Sequence, residues 1–371
     1  TELSRQVRSV MTDKYGGLWF GTKGDGLIHV PEYQDDLTSS ASKAIVYAPG
    51  KRVKASSYVK WDEEFHVYKL EQSRYMDGFW IGAGNPGLFY YSFKDDALHP
   101  VENPSGQPAI DVHDIYEEND TTLYVVTAGV GFYKMILEKK AGYVRIKEQK
   151  RYHFFYEQKE IAMFFPMLAE GDSLLWLGSR ERGLVRFDKR TEEYRVISLK
   201  EMLHRSVDDI LSLHRDHEGK MYVGTTSGLV CLSFEGKQMK ATYIGREQGL
   251  LNDMIHGVLE DGNDFLWLGT NRGLIKYNPS NGASHDYYYS AGVQIGEFSD
   301  DAYYQCPYTG NLFFGGIDGL LYLDRKVAAA PEFYPDILLR RLWIGRTEAV
   351  LRDYYAGEEE GLRLKGAQAS F

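Results

Sequence analysis

Residues 266–278 read LWLGTNRGLIKYN. Leu266 and Leu268 alternate with Trp267, the period-two pattern of a strand with side chains on two faces. Asn271-Arg272-Gly273 then supplies a turn, and "LIKYN" returns as a second strand. Gly273 suits a hairpin tip that needs positive φ. Gly269 lies inside the first strand, where a glycine marks the close approach of a neighbouring sheet.

The same hairpin recurs along the chain. "LWFGTKGDGL" surrounds Trp19, "FWIGAGNPGL" Trp80, "LWLGSRERGL" Trp176, "MYVGTTSGL" Tyr222 and "LFFGGIDGL" Phe313. "LYVVTAGVGF" around Tyr124 is a degraded copy with Val126 in place of the first glycine. The aromatic anchors stand at 19, 80, 124, 176, 222, 267 and 313, in steps of 61, 44, 52, 46, 45 and 46. A period near 45 is that of a propeller blade. The predicted fold is therefore all-β, a seven-bladed β-propeller of four-stranded antiparallel blades, with the anchors filling the space between blades.

Each unit opens on an alternating run such as "IHGVLED" at Ile255, and a polar fourth strand such as "YRVISL" closes it. An acidic residue stands six before the aromatic at Asp13, Glu118, Glu170, Asp216 and Asp261, where it reads as a turn former. The first step is long because of "YQDDLTSSASKAIVYAPGKRVKASS" (33–57), whose composition predicts a surface loop. After Asp324 the pattern ends. Trp343 imitates an anchor, but no Gly-Leu hairpin follows it, so 1–326 are assigned to the propeller and 327–371 to a linker and the first strands of a truncated β-sandwich. A fourth strand for the seventh blade is expected either from "TELSRQ" or from the segment after Asp324.

Bulk properties exclude several functions. A formal charge of -10 with no long block of one sign disfavours nucleic acid and anionic membrane surfaces. No apolar run approaches 18 residues and no export leader opens the sequence. Cys231 and Cys306 make neither a disulfide framework nor a zinc pattern. No nucleophile elbow, P-loop or HExxH motif occurs, and no cofactor or metal is expected.

The units "VRSVMTDKYGGLWFGTKGDGLIHV" and "NDMIHGVLEDGNDFLWLGTNRGLIKYNP" resemble the propeller repeats of two-component regulators. "GNLFFGGIDGLLYL" followed by "PEFYPDILLRRLWIG" is similar to the end of a propeller and the start of the triple-tyrosine, immunoglobulin-like domain in hybrid two-component sensors of gut Bacteroidetes. The resemblance implies a periplasmic, non-catalytic region that recognises an oligosaccharide and signals across the membrane to a histidine kinase. It also implies a homodimer in the full-length protein, with membrane attachment only through segments outside this sequence. The kinase and DNA-binding parts of such sensors are absent here.

In a propeller, hairpin tips and the loops leading into the innermost strands share one face. That places Lys23, Asp25, Asn85, Arg180, Arg182, Ser227, Asn271, Arg272 and Asp318 there, with Arg205, Asp208, Asn252 and Asp253 beside them. Arginines suit the carboxylate or sulfate of a sugar, and "RYHFFYEQ" (151–158) and "HDYYYS" (285–290, with Tyr288) offer aromatic platforms. The same residues also fit solvated loops and edge strands. His214 and His217 read as turn residues rather than metal ligands. Two alternatives remain open: a propeller lyase or glycosidase with Asp208, Asp209 and Asp253 as its acids, and a protein-docking scaffold.

Overall fold

A computed structural model describes residues 5–31, 43–57, 60, 63–103, 109–140, 143–180, 182–236, 238–250, 252–288, 293, 295–325, 342–344 and 347–349. The chain divides into two compact units, Thr1–Ala329 and Ala330–Phe371. In the second, Leu342–Ile344 pairs antiparallel with Thr347–Ala349.

The first unit is the seven-bladed propeller. Blades two to six are four-stranded antiparallel meanders whose first strands are Val67–Gln72, Val112–Asn119, Phe164–Glu170, Ile210–Arg215 and Ile255–Glu260. Blade one begins at Val7–Thr12 and blade seven at Phe298–Gln305. These seven first strands lie beside one another in a closed ring, with the last against the first. All seven anchors are buried: Trp19, Trp80, Tyr124, Trp176, Tyr222, Trp267 and Phe313 are at most 3% exposed.

The glycine two residues after six of the seven anchors explains the spacing of the sheets there. A Cβ at Gly21 would lie 2.4 Å from Val67, at Gly82 2.4 Å from the Val112 carbonyl oxygen, and at Gly178 2.7 Å from Ile210. At Gly224 it would lie 2.6 Å from the Ile255 carbonyl oxygen, and at Gly315 2.7 Å from Val7. Each partner is the first residue of the next blade's inner strand. The last of these contacts returns to blade one, so the disc closes by direct packing. Thr12 adds hydrogen bonds across that seam, pairing with the Tyr304 hydroxyl at 3.0 Å and donating to Cys306 Sγ at 3.2 Å.

The recurrent acid does more than form a turn. Asp13 accepts from the backbone nitrogens of Tyr15 and Gly17, both at 2.8 Å, while its other oxygen takes the indole N–H of Trp19 at 2.6 Å. Glu170 and Asp261 accept in the same way from Trp176 (2.6 Å) and Trp267 (2.9 Å). A buried indole donor without an acceptor is costly, so the acid at this spacing is tied to the aromatic. Blade two has Arg74 at that position, and its Trp80 donates instead to Glu117 of blade three at 2.8 Å.

Two expectations change. Within 33–57, Ile45–Ala48 is the fourth strand of blade one and Lys51–Lys54 a fifth, with Val46 and Tyr47 in the core. The apolar "IVYA" outweighs the polar residues around it, because it alone can cover the outer face of the third strand; residues 32–42 lie outside the described residues. Blade seven shows three strands among the described residues, ending with Gly319–Leu323. Both segments considered for a fourth strand, Thr1–Ser4 of "TELSRQ" and 326–341, lie outside them.

Candidate functional site

In every blade the pairing of the first strand with the second shifts register just after the first residue. A bulge takes a residue out of the ladder and re-aims its side chain. The bulged residues include Arg8, Tyr68, His113, Phe165 and His256, and several meet across blade boundaries. Tyr68 stacks on His113 at 4.4 Å and His113 on Phe165 at 4.3 Å, while the Arg180 guanidinium lies 4.9 Å from the Phe165 ring. Arg180 also pairs with Asp209 and, at 3.6 Å, with Asp300, which bonds His256 Nδ1 at 2.5 Å. Asp301, 3.5 Å from His113, is pushed up to about 6 by burial. This cluster brings rings, a guanidinium and carboxylates together at the inner strands, with His256 Nε2 buried and without a hydrogen-bond partner among the described residues.

A more open site lies between blades six and seven, on the face of the hairpin tips. Arg272 at the blade-six tip, Tyr288 just after its fourth strand and Asp318 at the blade-seven tip line a cavity of about 500 Å³ with Gly273, Val293, Ile295 and Gly296. Val293 and Ile295 are buried, and the Tyr288 ring is 43% exposed. Thr270 fixes the tip: its hydroxyl donates to the Gly273 carbonyl at 2.8 Å and accepts from Arg272 N at 3.0 Å. The Arg272 guanidinium has no ion pair among the described residues. The pocket thus combines an apolar wall, an aromatic face, a guanidinium without an ion pair among the described residues and a carboxylate.

The other sequence candidates are dispersed. Asp25 is buried and bridges backbone to Phe65, whereas Lys23 is exposed on the blade-one tip. Arg182 is half-buried and Asn271 exposed. Arg205 covers the Tyr243 ring at 4.5 Å, Asp253 pairs with Arg246 at 3.4 Å, and buried Asn252 caps its own turn by accepting from Met254 N at 3.0 Å. Asp208 accepts from Ser198 Oγ at 2.6 Å and from Lys200 N at 2.9 Å, which fixes the short helix Leu199–Leu203. In "RYHFFYEQ" Tyr152 and Phe154 are core, leaving Phe155 exposed. Sequence reading missed Tyr68, Phe165, His256, Asp300 and Asp301. For Tyr68, Phe165 and His256 the signal was a polar or aromatic residue directly after the buried one that opens a blade, whereas Asp300 and Asp301 lie in the longer register shift between Phe298 and Tyr303.

On the opposite face, His217, Glu260 and Asp264 place one potential metal-ligand atom each within 4.8 Å of one another. The arrangement already serves as a tie between blades five and six: Glu260 accepts from His217 N at 3.1 Å and bonds His217 Nδ1 at 2.6 Å, with His214 4.0 Å away. Burial alone would raise the Glu260 carboxyl, but these groups hold it down to about 2, and Glu260 raises His217 in return. The carboxylate contributes stability that is complete above its ordinary value of 4.5 and is lost as pH falls towards 2. The imidazolium contribution is complete below 6.5 and is lost as pH rises through the raised value. Glu260→Gln should therefore flatten the acid limb of the thermal midpoint between about pH 5 and pH 2; an unchanged slope would remove Glu260 from the tie.

The family model described as the two-component regulator propeller matches residues 1–24 and 249–272. The chain is 21% identical to Histidine kinase P4 of Formosa agariphila over 90% of its own length and 23% of that protein's. Extracellular domains of two hybrid two-component systems of B. thetaiotaomicron share the fold at 20% and 16% identity, with TM-scores of 0.68 and 0.67. Each match covers 94% of this chain and 44% of the solved one, so the chain spans under half the length of these relatives. No helix among the described residues is long and apolar enough to cross a membrane.

Proposed function

We propose that this chain is the non-catalytic sensing part of a hybrid two-component sensor, placed in the periplasm, and that it recognises an oligosaccharide. The observation that carries the reading is the pocket between blades six and seven, where Arg272, Tyr288 and Asp318 converge over an apolar floor. Pyranose rings present C–H faces that pack on an aromatic ring, together with hydroxyls that need planar donors and acceptors; a guanidinium adds bidentate recognition of a sugar acid. The repeats support the sensory context, because their relatives are named as histidine kinases and hybrid two-component systems. Signalling then requires the ligand to favour one of two arrangements of a paired receptor.

Calorimetric titration against neutral and acidic oligosaccharides tests the site. A ligand that binds should lose about tenfold in affinity in Arg272→Ala and in Tyr288→Ala, each equivalent to roughly 1.4 kcal/mol. Flat titrations across the panel would overturn the reading, and turnover of a sugar would transfer it to an enzyme.

A further inference from the structure

A second cleft lies at the rim of the opposite face, between blades two and three. The third and fourth strands of blade three, Gly131–Lys140 and Tyr143–Tyr152, are ten residues each and overhang the edge of blade two. Glu102 secures the overhang, since its backbone N donates to the Val144 carbonyl at 3.3 Å and its carbonyl accepts from Ile146 N at 2.7 Å. Beneath is a cavity of about 380 Å³ lined by residues that include Tyr90, Lys94, His99, Lys139 and Tyr143.

The charges in this cleft do not balance. Its carboxylates are occupied: Asp77 pairs with Lys14 at 2.7 Å and Asp95 with His99 at 2.9 Å. Lys140 pairs with Glu138 at 2.9 Å, whereas Lys94 and Lys139 have no ion pair among the described residues. Lys139 is half-buried, and that burial lowers its ammonium against the opposing pull of the Glu117 and Asp120 carboxylates, neither of which pairs with it directly. The Tyr90 ring stacks on His99 at 4.9 Å and is 8% exposed, and its hydroxyl has no hydrogen bond among the described residues.

The geometry points to a binding site for an acidic sugar unit, with Lys139 and Lys94 meeting its carboxylate or sulfate. The Tyr90 hydroxyl and the exposed Tyr143 ring contact its hydroxyls and C–H face. A half-buried ammonium makes a stronger charge-assisted bond than an exposed one, which sets Lys139 as the main determinant. The site is separate from the pocket of Arg272 and Tyr288, so either can fail without the other.

The test is a titration of the whole chain with digalacturonate, with galactobiose as its neutral counterpart and inorganic sulfate as competitor. Digalacturonate should bind, galactobiose should bind at least about tenfold more weakly, and sulfate should compete. Lys139→Gln and the double variant with Lys94→Gln keep most of the side-chain bulk and should weaken digalacturonate about tenfold or more, and Tyr90→Phe about threefold. Arg272→Ala should leave this binding unchanged. Equal affinity for the neutral sugar, full binding by the double variant, no binding of digalacturonate, or its loss in Arg272→Ala would each overturn the proposal.

Discussion

Glu117→Ala is expected to lower the unfolding free energy of the propeller by about 3–5 kcal/mol, the scale for breaking a buried, hydrogen-bonded charge. The carboxylate is 2% exposed and serves three donors of blade two: Ser73 Oγ at 2.8 Å, Arg74 N at 2.7 Å and Trp80 Nε1 at 2.8 Å. Its backbone carbonyl also accepts from the Arg74 guanidinium. Alanine strands all three donors at one seam, whereas Glu117→Gln keeps one acceptor oxygen and should cost less. Urea denaturation followed by tryptophan fluorescence measures both; a loss below about 1 kcal/mol for alanine would mean that water replaces the carboxylate freely.

Gly82→Ala is the second large effect, about 2–3 kcal/mol, from overpacking at the seam of blades two and three. The added Cβ would sit 2.4 Å from the Val112 carbonyl oxygen and 3.0 Å from Val112 Cγ1, and backbone cannot swing aside as a side chain can. Gly269→Ala is the internal comparison. There the nearest atom is Phe314 Cδ1 at 3.1 Å, and a small ring shift should hold the loss under about 1 kcal/mol. Thermal midpoints of the pair should rank accordingly, and equal losses would show that glycine is needed here for something other than proximity.

Much of the architecture was legible because each blade repeats one physical problem. An anchor must be buried between sheets, its neighbour must have no side chain, and a tight turn must follow, so the same residue types recur at one spacing. Val126 shows the limit of the pattern: the third copy looks degraded, yet the valine is fully buried in one cluster with Phe164 of the next blade. That seam is filled by a side chain in place of a close approach. The role of Glu117 was not legible, because it substitutes across a blade boundary for an acid that blade two lacks. "IVYA" was misread since polarity was judged over 25 residues, while a strand needs only four.

The site was less legible. Arg272 and Tyr288 are 16 residues apart and meet because a fourth strand returns to the level of its own hairpin tip. Arg180 belonged to the same list of exposed arginines, yet Asp209 and Asp300 draw it into the axial cluster. Neither outcome follows from residue type, since both depend on which carboxylates the closed ring brings within reach.

The register shift common to all seven inner strands bears on how such a propeller changes over time. Because the displaced residue makes no ladder bond, exchanging it alters what borders the axis while the scaffold's strand pairing stays intact. Blades one to four supply arginine, tyrosine, histidine and phenylalanine there on the same backbone register shift. One frame can thus trade the chemistry of its inner rim while its ladders hold, although a position such as His113, stacked between Tyr68 and Phe165, changes together with the blades on either side.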